Sequence, residues 1–101
     1  MADRLSLQAL LEKILGSPNV YYQPPASVRM NYPAIVYNKA KPDIKFANNK
    51  LYAKKDAYDV VVIDPRPDNK AIEDLQELPY CSWIRHYTKD NLNHDVLSLY
   101  Y

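Results

Sequence analysis

The residue types that most readily do chemistry gather near the C-terminus, where Cys81, His86, His94 and Asp95 lie close together in the chain. Thiolate, imidazole and carboxylate are the ligands of zinc, and a Cys beside a His pairs a nucleophile with its base. A zinc ion needs three or four such groups converging, and the spacing here matches no zinc pattern. No nucleophile signature surrounds Cys81 either, so the plainer reading is a small buried residue beside polar hairpin histidines. A second set, Asp59 and Asp64 with Glu73 or Glu77, carries the carboxylates that hold Mg²⁺ in a nuclease. The lysine such a site needs after a paired Glu is missing, and Pro65 and Pro67 stiffen the exit from Asp64. Asp64 and Asp68 then serve to begin a turn and cap a helix. Phosphate cradles need Gly-rich loops, and a single Gly in the chain excludes both Walker and dinucleotide types. No catalytic, metal-binding or cofactor-binding residue emerges, and the chain is expected not to be an enzyme.

Charge is the stronger signal. The net charge of +1 conceals two unlike regions. From Arg29 to Lys55 there are seven basic residues and one acid, Asp43, which gives +6; the remainder, with six basic and eleven acidic residues, sums to −5. Copies of a chain divided in this way attract one another head to tail. Within the basic region Lys alternates with Phe46, Tyr52 and Tyr58, a pattern also suited to a groove for single-stranded nucleic acid. Arg is absent from the Lys39–Lys55 cluster, and an exposed lysine hairpin is how an edge strand avoids unwanted pairing. An interaction arm is the favoured reading, carried by Lys41, Lys45, Lys50, Tyr52, Lys54 and Lys55.

The elements that must position these residues follow from periodicity. Leu7, Leu10, Leu11, Ile14 and Leu15 form one stripe at helical spacing, with Asp3 as N-cap and Gly16 and Pro18 as the stop. Val20 to Tyr22 reads as a short strand before Pro24 and Pro25. Tyr32 to Asn38 reads as a strand, and Pro33 near its start marks an edge or a strand beginning. Ile44 to Ala47 and Leu51 to Lys55 flank Asn48-Asn49 as a hairpin. Tyr58 to Ile63, apolar on both faces after its first residues, predicts a central covered strand. A helix from about Asn69 to Leu78 follows, capped by Asp68 and closed by Pro79. Cys81 to Tyr87 and Asp95 to Tyr101 are the last two strands, joined by Thr88 to His94. The order predicts an α+β fold: an antiparallel or mixed sheet packed by two helices, in one domain over residues 1–101.

Composition sets the remaining bounds. One Cys excludes an intrachain disulfide, and one Gly against eight Pro leaves turns to Asn, Asp and Pro. Ten Tyr against one Phe suit half-buried surfaces such as strand edges and subunit contacts. The first residues lack a signal-peptide pattern and no apolar run is long enough to cross a bilayer, so synthesis in a cytoplasm is expected.

Several runs resemble the small tail-terminator or tail-completion proteins of long-tailed bacteriophages. They are Tyr58-Asp-Val-Val-Val-Ile-Asp64, the acidic helix after it, the Leu78-Pro79-Tyr-Cys81 step, and Asp90-Asn-Leu-Asn-His-Asp-Val96 with its closing Leu-Tyr-Tyr. The Tyr32-Pro-Ala-Ile-Val-Tyr37 run followed by a Lys-rich hairpin fits the same pattern, so the likeness spans Leu5 to Tyr101. The resemblance implies a protomer of a ring, a hexamer, that caps the tail tube and offers a docking surface to the head connector. It implies as partners the chain itself, a tail tube protein and a head-closure or connector protein. Genomic DNA would pass through the lumen without specific binding, and the location would be the virion neck, with host cytoplasm during assembly. Head-closure and adaptor proteins of the neck share similar small designs. Under the resemblance Asp68, Glu73, Asp74 and Glu77 are candidates for the lumen or a subunit contact, and the Lys41 to Lys55 hairpin for the arm.

Overall fold

In the computed structural model, residues 4–41 and 56–101 are described. They form helix α1 (Arg4–Leu15), strands β1 (Val20–Tyr22), β2 (Ala34–Ala40) and β3 (Ala57–Asp64), helix α2 (Lys70–Gln76), and strands β4 (Cys81–Lys89) and β5 (Leu92–Tyr100). The strands make one five-stranded sheet in the order β1-β2-β3-β5-β4. β1 runs parallel to β2 and every other pair is antiparallel. This is the α+β fold that the patterning predicts, with β3 in the middle.

Alternation along the strands sorts the side chains into two faces. Ile35 and Tyr37, Tyr58, Val60 and Val62, and Leu97 and Leu99 point to the side on which both helices pack. There they meet Leu7 and Leu11 of α1 and Leu75 of α2, all fully buried. Leu10, Ile14 and Leu15 of the predicted stripe are only half-buried, because the two helices share that face. The opposite face carries Ala34, Val36, Val61, Ile63 and Val96, and the segment from Pro24 to Met30 lies against part of it.

The elements end where local chemistry dictates. Gly16 adopts φ +74, letting its N–H and that of Ser17 both reach the Glu12 carbonyl, 2.9 and 3.2 Å away. α2 is capped by Asn69 and not by Asp68: the Asn69 side chain accepts from Ala71 N at 2.8 Å, and Asp68 lies one residue too early. The final hairpin is longer than the sequence predicts. Strands β4 and β5 run on to Lys89 and Leu92, and the turn is Asp90-Asn91 alone, with φ +55 and +62. Two residues with positive φ match strand twist, which is why Asp-Asn closes the hairpin tightly and Thr88 and Asn93 join the ladder. Similarly β2 starts at Ala34, after the cis peptide at Pro33, and extends to Ala40. The predicted cap Asp3 and the hairpin across Ile44 to Lys55 lie outside the described residues.

Leu11→Ala should destabilise the fold by about 2–5 kcal/mol, since a fully buried side chain is lost. Leu5→Ala, at a position 67% exposed, should change stability by less than about 0.5 kcal/mol. Urea midpoints of the two variants check both values.

Candidate assembly surfaces

Strand register places Lys39 and Lys41, beside Asp56 and Asp59, at one end of the sheet and the turn that carries Asp68 at the other. Ala40 pairs with Ala57, so Lys39, Lys41 and Asp56 share one end. Asp64 and the turn to Asp68 stand at the other end of β3, seven residues from Ala57 and hence roughly 23 Å along the strand. Of the arm candidates, Lys41 is exposed at the tip of β2. Lys45, Lys50, Tyr52, Lys54 and Lys55 lie outside the described residues. At the first end Lys39 sits 3.9 Å from Asp56, an exposed ion pair of small energetic weight.

The other end is built by a buried carboxylate. Asp64, only 3% exposed, accepts from Arg66 N at 2.8 Å and from Asn69 Nδ2 at 2.7 Å. It thereby shapes the turn and orients the helix cap, a structural role that uses both of its oxygens. Asn93 fastens the hairpin to the same turn by donating to the carbonyls of Asp64 and Pro65, at 3.3 and 3.1 Å. Beyond it, Asp68 and Glu73 rim an open recess of about 410 Å³ whose lining includes Ile72, Lys70 and Asp95. Asp74 and Glu77 do not join that rim; Asp74 is half-buried and Glu77 is the C-cap residue of α2. The four acids of the sequence reading therefore divide between two places.

A third surface was not foreseen. β5 pairs with β3, so β4 is pushed to the sheet edge, and its residues from Ser82 to Lys89 are all exposed. Trp83, Ile84 and Tyr87 are 45%, 52% and 39% exposed. A bulge between Trp83 and Arg85 breaks the register there. Trp83 Nε1 donates to Asp95 Oδ1 at 3.1 Å. Tyr87 stacks on His94 at 4.7 Å, with the Arg85 guanidinium 5.8 Å from its ring centre. The aromatic and basic residues of 81–89 were visible in the sequence, but their edge position depends on strand order, which periodicity does not report.

Comparison with protein-family models, curated proteins and solved structures gives no match. Function must be argued from these surfaces.

The chemistry-bearing residues at the C-terminus are spread over the hairpin. His86 Nε2 donates to Asn93 Oδ1 at 3.1 Å, and His94 Nδ1 to the Leu92 carbonyl at 3.1 Å. Among the described residues no three His, Cys, Asp or Glu are grouped to hold a metal ion, and no helix is long and apolar enough to cross a membrane. Cys81 is half-buried at the start of β4, against the core, and burial pushes its thiol up to about 11. Burial likewise raises the Tyr58 hydroxyl, with the negative charge of Asp56 adding to it.

Both shifts have one sign. An unfolded thiol ionises near 9 and the folded one near 11, so the unfolded chain holds fewer protons between those values and stability falls as pH rises through them. At pH 8 the thiolate fraction of Cys81 should be about 100-fold below that of a free cysteine. Iodoacetamide labelling followed by mass should show that retardation in the folded chain and its loss in urea. Labelling of the folded chain at the free rate would contradict the burial.

Proposed function

We propose that this chain is a structural assembly protein of a long-tailed bacteriophage: a tail terminator whose copies form a ring on the tail tube and present a docking surface to the head connector. The observation that carries this reading is the division of charge along the chain, +6 from Arg29 to Lys55 and −5 over the remainder. A protomer with two different, complementary surfaces associates heterologously, and a heterologous contact closes into a ring when its rotation permits. The exposed Trp83, Ile84 and Tyr87 supply apolar area for such contacts. The resemblance of Tyr58–Asp64 and Asp90–Tyr101 to the terminator family supports the same conclusion and supplies the hexamer, the tube protein and the connector as expected partners. In this reading the Lys41–Lys55 segment is the arm that reaches a neighbour or the tube, and the residues Asp68, Glu73, Asp74 and Glu77 face the lumen or a subunit contact. No reaction and no cofactor is assigned.

The alternating Lys and aromatic residues of 39–55 favour a second reading, a small nucleic-acid-binding accessory protein. Electron microscopy of particles assembled without this chain separates the two. A terminator's absence should give overlong headless tubes beside separate filled heads. Tubes of normal length beside separate heads would place the chain in a head-closure or adaptor layer instead, and normal virions would remove it from the neck altogether.

The arm is tested by changing Lys50, Lys54 and Lys55 together to Glu. Thermal unfolding should be close to that of the parent chain, while the yield of infectious particles should fall by at least about tenfold, the effect of roughly 1.4 kcal/mol at one contact. Full infectivity with tails of normal length would rule the arm out.

A further inference from the structure

The long free edge of the sheet has the make-up of a protein contact. An unpaired strand offers a row of backbone N–H and C=O groups, and proteins protect such edges by shortening them, charging them or covering them. β1, the other edge, is three residues long, whereas β4 has nine and no acidic residue among them. It holds Trp83, Arg85 and Tyr87, the three residue types that most often dominate binding energy. Their side chains are already held: the indole N–H by Asp95, and the Tyr87 ring between His94 and the Arg85 guanidinium. Side chains fixed before contact lose less entropy on binding.

At Tyr87 the same geometry leaves little room for a nucleic-acid base. Base stacking needs an open aromatic face, and Tyr87 has His94 stacked on its ring and the Arg85 guanidinium nearby. What the strand lacks is negative charge, for it carries Arg85, His86 and Lys89 alone. A surface of the missing sign exists on this same chain. Asp68 and Glu73 are both exposed, and they outnumber the one base, Lys70, on the rim of a recess with Ile72 in its lining. Charge complementarity thus makes a second copy of the chain the fitting occupant.

We propose that β4 is the docking strand between copies, with Arg85 and Lys89, which share one face of the strand, lying against the recess rimmed by Asp68 and Glu73 of the next copy. The inference rests on the ring reading and sharpens it: the rim of that recess belongs to a subunit contact and not to the lumen, which leaves the lysine arm for the tube.

Charge reversal tests the pairing. The variants Arg85→Glu/Lys89→Glu and Asp68→Lys/Glu73→Lys are each examined by sedimentation velocity up to about 0.5 mM, with circular dichroism to show that they fold. The parent chain should self-associate, more weakly as salt rises. Each variant alone should associate at least about tenfold more weakly. An equimolar mixture of the two should recover association, because each reversed strand then meets a reversed recess. Arg29→Glu, in an exposed loop away from both surfaces, should leave association unchanged. A parent chain that stays monomeric throughout, variants that associate like the parent, or a mixture that recovers nothing each overturns the proposal. If a variant fails to fold, single substitutions at Lys89 and Asp68 carry the same comparison. Recovery in the mixture together with normal tails in the chain's absence would uphold the contact and sink the terminator reading. Overlong tails with no recovery would do the reverse.

Discussion

Tyr37 puts a hydroxyl into the interior of this small domain, and the way it is satisfied governs how the rest is assembled. The residue is fully buried, flanked by the rings of Tyr22 and Tyr58 at 4.8 and 6.0 Å. Its hydroxyl donates to Gln8 Oε1 and accepts from Arg4 at 3.3 Å. Gln8 in turn donates to the Val20 carbonyl at 3.0 Å, and Arg4 lies 4.6 Å from the centre of the Tyr22 ring. Burial of Leu7 and Leu11 attracts α1 to the sheet without prescribing its rotation. A buried hydroxyl left without a partner costs about 1–3 kcal/mol, so the polar network selects the one rotation that satisfies it. β1, too short to be stable alone, is held between this network and its parallel pairing with β2.

Because α1 and α2 both serve one face, the protein is lopsided. Among the described residues, the apolar side chains on the other face are covered only in part by the Pro24–Met30 segment, and β4 has no neighbour on its outer side. The helix side is thus the core, whereas the described residues of β4 from Ser82 to Lys89 are exposed. Among the described residues the buried carboxylates, Asp64 and Asp95, are each occupied in holding a turn or an indole.

Sequence reading recovers what short-range physics determines. The stripe of Leu7 and Leu11, the Gly16 stop and the Tyr58–Ile63 run each carry a period or a punctuation mark, and each becomes the expected element. Boundaries were less legible where a residue could serve two purposes. Asp68 and Asn69 are both good caps, and only the entry angle of the chain, set by Asp64, selects the second. Thr88 and Asn93 look like turn residues but sit in the ladder, because Asp90 and Asn91 accept positive φ and complete the turn unaided. The edge position of β4 was not legible at all. It arises from β5 inserting between β3 and β4, a long-range pairing with no local trace. Of the candidate site, Asp68 and Glu73 meet at one recess, while Asp74 and Glu77 do not, since their side chains leave α2 in other directions.

The pairing of Ala40 with Ala57 has a consequence for how such a protein can change. The sheet itself holds the two ends of the intervening stretch a strand's width apart, so their separation is independent of how many residues lie between them. Once two strands are paired, a longer chain between them adds little closure cost, about 0.6 kcal/mol for each doubling. The register of β2 on β3 therefore tolerates sequences of different length between Ala40 and Ala57, and the framework beneath is unchanged by them.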